Sequence, residues 1–319
     1  MSKYSVSVIV TTYNPDWEKL LCTLKSIIIQ EDITFEVIVT DDGSKIDHFE
    51  EIKIFFNKNK FKNIKFIKNK TNIGTVKNYY NALMLASGKY TYGISPGDML
   101  YNKYTLCNLY QYSNNNNIDI CFGDAIYYEL SDGQIIIKYI TNIPCRPWMY
   151  DEKVKLEDQK LYFLIDNCIA GPSFFRKTEI ARKYIGCIKN ISKYVEDNTS
   201  TAFALADGVR IYHYNSYVVW YEQGCGLSTS KKKEWHDVLM KDFQACFEKL
   251  RLEYSNDRII SVYTRVCPYN KILKAILLMF FSPRLFIKIL RYKFSPVSIG
   301  YNKSFEINFL KQYLGGRYL

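Results

Sequence analysis

The sequence predicts an α/β protein: a mostly parallel sheet flanked by helices, followed by a basic helical extension. Three observations carry that expectation. Short β-branched runs alternate with stretches of helical apolar spacing through the first hundred residues. Those runs end in polar or acidic turns, where open parallel sheets bind ligands. Charge is uneven: of a formal net +11, residues 258–319 hold eleven basic side chains against one acid, Glu306, so the preceding chain is close to neutral.

The elements follow in order. Val6, Val8 and Val10 alternate with Ser5, Ser7 and Ile9 as a first strand that ends at Thr11-Thr12. Asn14-Pro15 reads as a helix N-cap followed by proline at the first helical position. Leu20, Leu21, Leu24, Ile27 and Ile28 then fall at helical spacing. A second strand over 35–40 stops at the acidic turn Asp41-Asp42-Gly43-Ser44, and a third over 64–67 ends near Asn72-Ile73-Gly74. A helix over 75–87 is closed by Gly88. A fourth strand over 90–94 runs into Ser95-Pro96-Gly97-Asp98. The asparagine run 114–117 reads as a solvated loop.

Composition excludes several classes. With 48% hydrophobic and 24% charged residues the chain is globular, not disordered. Nine cysteines, none in a Cys-x-x-Cys pair, and three histidines argue against a zinc site or a disulfide framework. Reduced thiols in a cytoplasmic protein are expected instead. The first residues, MSKYSVSVIVTTYN, lack an apolar leader with a cleavage site, so no secretory signal is expected. No Gly-x-Gly-x-x-Gly follows the first strand and no P-loop signature occurs, which disfavours dinucleotide and P-loop folds.

Five segments in order resemble family 2 glycosyltransferases of the GT-A fold. They are VSVIVTTYN at 6–14, FEVIVTDDGS at 35–44, NIG at 72–74, ASGKY at 86–90 with ISPGDM at 94–99, and VEDNT at 195–199. The resemblance covers residues 4–230 and implies a catalytic domain over 1–230 with an extension over 231–319. It implies that Thr11 and Tyr13 line a nucleotide base and that Asp42 hydrogen-bonds it, the usual base being a pyrimidine. Asp41 belongs to the same donor turn and orders it. Asn72, Gly74, Lys77 and Asn78 match residues over the ribose and phosphates, with Lys77 a point charge for the diphosphate. The family's acidic motif is thinned, since Ser95 and Gly97 stand where acids are usual. Asp98 alone is left to touch a divalent cation, Mn²⁺ or Mg²⁺.

Taken alone, Glu196-Asp197 is a pair of acids at a helix start, which capping explains. The resemblance makes Asp197 the general base of an inverting displacement, with Glu196 orienting it or an acceptor hydroxyl. Trp148, Gly171 and Arg176 fall on the acceptor side. Phe174 and Phe175 read first as core. Residues 221–228 resemble the loop that closes over the donor, with Glu222 and Gln223 where Arg or His is common. The implied function is transfer of a sugar from a nucleoside-diphosphate donor, UDP-linked, to a glycan or lipid-linked glycan in cell-surface polysaccharide synthesis. The competing reading is a noncatalytic sugar-nucleotide-binding or scaffolding protein of the same fold.

In the extension, Lys231-Lys232-Lys233 reads as a linker and 234–253 as a helix. From Lys271 to Lys293, basic residues alternate with Leu, Ile and Phe, and Pro283 breaks the run. Seven apolar residues from Ala275 to Phe281 are far short of the ~20 a spanning helix needs. This pattern suits an anionic membrane surface, at the cytoplasmic face. A helix packed on the catalytic domain or a protein partner are the alternatives. No nucleic-acid-binding module accompanies the charge.

Overall fold

The first strand buries residues on both faces, and the computed structural model shows why: β1 (Tyr4–Thr12) lies inside a nine-stranded sheet with helices on both sides. Val6, Val8 and Val10 pack with Leu20, Leu24 and Ile27 on one side. Ile9 and Ile38 face Val76, Tyr79 and Leu83 on the other. The described residues are 2–131, 133–138, 144–166, 169–224, 233–298 and 303–315.

The first half runs α1 (Trp17–Ile28), β2 (Phe35–Asp41), α2 (Phe49–Lys58), β3 (Ile64–Lys68), α3 (Thr75–Leu85), β4 (Gly88–Ile94), β5 (Met99–Leu100) and α4 (Thr105–Asn115). The second half runs β6 (Ile120–Ser131), β7 (Gln134–Ile137), α5 (Leu156–Ile165), β8 (Phe174–Lys177), α6 (Thr178–Ile188), α7 (Asp197–Ala206) and β9 (Ile211–Glu222). The extension is helical: α8 (Lys233–Glu253), α9 (Arg258–Val266), α10 (Lys271–Phe281), α11 (Pro283–Phe294) and α12 (Ile307–Leu314).

Strand order is β3-β2-β1-β4-β8-β6-β9-β5, with β7 paired to β6. β3, β2, β1 and β4 are parallel, whereas β8 is antiparallel to both β4 and β6. Two registers position the site. Thr12 pairs with Asp41 and Val10 with Ile94, so three strand ends open on one edge. β5 pairs antiparallel with β9 through Met99–Trp220 and Leu100–Val219, which brings the residues just before β5 beside those just after Trp220.

Several local expectations are corrected. Asn14 is not the N-cap of α1; Asp16 is, its carboxylate accepting from the Lys19 amide at 3.1 Å. Asn14 instead sits in a left-handed turn (φ 45°), its amide donating to Ser44 Oγ. α3 stops at Leu85, and Gly88 opens β4 rather than capping the helix. A methyl group at Gly88 would lie 2.4 Å from the Ser7 amide, so glycine is needed there for close strand approach. Asn114 and Asn115 belong to α4, not to a loop.

Residues past 230 pack into the same hydrophobic core as the sheet and its helices. Cys246, Leu250, Ile260 and Tyr263 join the cluster that holds Phe203 and Leu205. Leu310, Tyr313 and Leu314 pack with Cys22 and Trp220. α10 and α11 bury Leu278 and Leu285 but leave Phe280 and Phe294 81% and 85% exposed. Among the described residues, no helix is long and apolar enough to cross a membrane.

Candidate active site

The open edge of the sheet forms a cleft of about 990 Å³ lined by Thr11, Thr12, Tyr13, Asp42, Asn72 and Asp98, among others. A smaller cavity beside it is lined by Gly171, Phe174, Arg176, Glu196 and Asp197. Thr11 and Ser95 line both, and their hydroxyls hydrogen-bond at 3.0 Å, so the two spaces meet at that contact.

On the donor side, Asp42 shapes a loop. Its carboxylate accepts from the amides of Ile73 and Gly74, each at 2.9 Å, and from Asn69 Nδ2. Asp41 is fully buried, accepting from Thr12 Oγ1 and from the Ser44 amide and hydroxyl. It orders the turn and does not line the cleft. Asn72 does line it, and its buried Oδ1 has no hydrogen-bond partner. Gly74 adopts φ +92° where a methyl group would strike Lys193 at 2.3 Å, so only glycine allows the loops to meet.

Lys77 is corrected: α3 turns Val76, Asn78 and Tyr79 inward and leaves Lys77 exposed, outside the residues that line the cleft. Among the described residues, the cations that do line it are Lys19 and Lys193, neither singled out by the sequence pattern. Asp242 of α8 fixes the second by accepting from the amides of Lys193 and Tyr194 at 2.8 and 2.7 Å. Trp235 stacks edge-on against Tyr194 at 5.5 Å and also lines the cleft. A residue past 230 thus contributes to this site.

Asp98 is buried, its Oδ1 accepting from the Glu222 amide at 3.2 Å. Burial pushes its carboxyl well above the usual range; the Glu222 amide opposes that, the Glu222 charge adds to it, and Lys19 opposes it. Glu222 is 6% exposed, pairs with Lys19 Nζ at 2.7 Å through Oε1, and leaves Oε2 buried without a hydrogen-bond partner. Among the described residues no group of three or more His, Cys, Asp or Glu assembles a metal site. Asp98 and Glu222, the latter with Oε2 unpartnered, still fit a hard divalent cation, which takes few protein ligands when phosphates supply the rest. The loop expected to close over the donor is described only as far as Gly224; 225–228 lie outside the described residues.

In the smaller cavity, Asp197 opens α7, its Oδ1 accepting from the Asn198 amide at 2.6 Å. A methyl group at Gly171 would sit 2.9 Å from Asp197 Oδ2. Burial raises the carboxyls of both Glu196 and Asp197, and Asp197 raises Glu196 further, while Arg176 acts the other way on both. Arg176 is itself buried, donating to the Asp197 carbonyl and Thr201 Oγ1 at 3.1 Å and lying 4.2 Å over the Phe174 ring. Its place is beneath the carboxylates. Trp148 is half-exposed and lines neither cavity. Phe175 is core, stacked on Tyr90.

Comparison with known proteins gives the family and the fold. Residues 7–181, more than half the chain, match the family model described as glycosyl transferase family 2. An uncharacterized glycosyltransferase of Methanocaldococcus jannaschii is 30% identical over 183 residues, 57% of this chain and 59% of its own length. The match therefore spans less than two thirds of that relative. S. aureus TarS 1–349 with UDP-GlcNAc superimposes at a TM-score of 0.54, with 20% identity, covering 91% of this chain and 73% of that one. The same TarS segment without ligand in its title gives 0.53, with 18% identity and coverage of 95% and 98%. The chain belongs to glycosyl transferase family 2 and has its GT-A-type fold.

Proposed function

We propose that the protein transfers a sugar, with inversion, from a nucleoside-diphosphate donor to a hydroxyl of a glycan or lipid-linked glycan. One observation carries this reading: the half-buried Glu196–Asp197 pair lines a cavity that meets the nucleotide-sized cleft at Thr11 and Ser95.

Asp197 Oδ2 accepts the acceptor proton as the oxygen attacks the anomeric carbon. Burial raises its affinity for protons, the direction that suits a general base. Arg176 offsets part of the negative charge beneath it. Lys19 and Lys193 line the side where the diphosphate leaves, so charge developing there meets cations. A divalent cation held by Asp98 and Glu222 would supply Lewis-acid stabilisation of the leaving group. No acid is required to protonate a diphosphate, so one base suffices.

Calorimetry with uridine, guanosine and adenosine diphosphate sugars, with and without Mn²⁺, tests the donor. UDP-GlcNAc, the ligand in a TarS structure of this fold, is the first to try. Uridine-linked donors are expected to bind and the others not. Turnover with lipid-linked acceptors then separates enzyme from binder: donor binding with no transfer to any acceptor would favour the noncatalytic reading.

The cell-surface role rests on the extension. Phe280, Phe281 and Phe294 are exposed on α10 and α11 beside Lys271, Lys274, Arg284, Arg291 and Lys293. Aromatic residues flanked by basic ones suit the headgroup region of an anionic bilayer. Co-sedimentation with phosphatidylglycerol vesicles but not with phosphatidylcholine vesicles is expected, weakening with salt. Retention of full vesicle binding by Phe280→Ser/Phe294→Ser would remove this surface.

A further inference from the structure

The segment 95–98 lacks the acids that its position calls for, yet the space beside it is acidic. Gly97 adopts φ +101°, and a methyl group there would land 2.3 Å from Glu222 Oε2. Thus the carboxylate of Glu222 fills the volume into which a side chain at 97 would project. The β5–β9 pairing puts it there, because Met99 opposite Trp220 sets Gly97 and Asp98 against Tyr221 and Glu222. The Glu222 amide anchors Asp98, and Lys19 Nζ anchors Glu222 Oε1 at 2.7 Å. Glu222 Oε2 is left buried and without a hydrogen-bond partner. A buried carboxylate oxygen in that condition is costly unless a cation completes it.

We propose that Glu222 is the second carboxylate of the donor-side cation site, supplied from β9 in place of the acids missing at 95 and 97. Lys19 is its resident counter-ion in the unliganded protein. Lys19 Nζ meets Glu222 Oε1, and Oε2 has no hydrogen-bond partner. A divalent cation on Asp98 and Glu222 balances both and frees the Lys19 ammonium, which already lines the cleft, for the diphosphate. The acid is therefore exchanged between strands, and the lysine changes partner when donor and cation arrive. This inference rests on the donor reading above only for the identity of the diphosphate; the two-carboxylate cation site does not depend on it.

The test is Mn²⁺ binding followed by loss of the free-ion paramagnetic resonance signal, for the full chain alone and with UDP. Wild type is expected to bind Mn²⁺, more tightly with UDP. Glu222→Gln, close to isosteric, is expected to weaken Mn²⁺ binding about tenfold in both conditions, the scale of losing one ligand or its support. Lys19→Met is expected to tighten Mn²⁺ alone severalfold by removing the competing ammonium, and to weaken UDP. Since Lys19→Met leaves both carboxylates in place, it reports on the site even if Glu222→Gln folds poorly by melting. Mn²⁺ affinity in folded Glu222→Gln equal to wild type would overturn the proposal, as would no Mn²⁺ binding by wild type. Weaker Mn²⁺ binding in Lys19→Met would overturn the counter-ion role. Mn²⁺ binding that depends on Glu222 in a protein that ignores UDP would keep the cation site and sink the donor reading instead.

Discussion

Two carboxylate pairs stand on either side of the Thr11–Ser95 contact, one half-buried and one buried, and the fold treats them differently. Glu196 and Asp197 are neighbours in sequence and share Arg176, which is buried, hydrogen-bonded to the Asp197 carbonyl and laid over Phe174. That guanidinium has nowhere to go. Asp98 and Glu222 come from segments 124 residues apart and are met by Lys19, whose side chain is 30% exposed at the cleft. A fixed cation suits a pair that gains and loses a proton in place. A cation on a flexible four-carbon stem suits a pair that exchanges one positive partner for another.

The largest effect is expected at the fixed pair. Asp197→Asn is expected to lower turnover at least about 10²-fold with donor affinity little changed, the scale of a general base. Equal activity in that variant would erase the distinction between the pairs. Next is pH. The base must be ionised, so turnover is expected to rise with pH past the ordinary carboxylate range and to fall about tenfold per unit below the raised limb. Stability is expected to run the other way. Glu196 and Asp197 keep their protons in the native state at pH values where the unfolded chain has released them. The native state then binds more protons, and stability falls as pH rises from about 4 toward the raised native values. Glu196→Gln is expected to flatten that slope in urea titrations across pH; an unchanged slope would place the shifted protons elsewhere.

The same contrast explains what could be read in the sequence. Glu196-Asp197 is adjacent in the chain, and the strand-end motifs at 11–14, 41–44 and 72–74 are local turns, so short segments carried them. The parallel half was legible for the same reason: β1 and β2 are β-branched runs buried on both faces, and β3 and β4 are short runs bounded by turns. α2, α4, β6 and β7 carry no such motif. Tyr-rich β6 and Asn-rich α4 hide their periodicity, since tyrosine and asparagine serve equally at buried and exposed positions. Glu222 and Lys19 are 203 residues apart and meet only because β5 pairs with β9. Lys77 lies outside the cleft lining because the phase of α3, fixed by Val76 and Tyr79 in the core, turns position 77 outward.

Two glycines sharpen the comparison further, each facing one carboxylate. At Gly97 a methyl group meets Glu222 Oε2 at 2.3 Å and the backbone is left-handed. Gly97→Ala is expected to cost about 2 kcal/mol of unfolding free energy in urea, combining backbone strain with displacement of Glu222 from Lys19. At Gly171 the contact is 2.9 Å, to Asp197 Oδ2, and the backbone is not left-handed. Gly171→Ala is therefore expected to leave stability within about 1 kcal/mol of wild type. The Asp197 carboxylate must still shift by a few tenths of an ångström, and turnover is expected to fall about threefold to tenfold, since proton transfer is sensitive to sub-ångström placement. Unchanged turnover in a stable Gly171→Ala would mean that Oδ2 is not the accepting atom. A stability loss matching that of Gly97→Ala would mean that Arg176 pins Asp197 so tightly that the backbone, not the carboxylate, gives way.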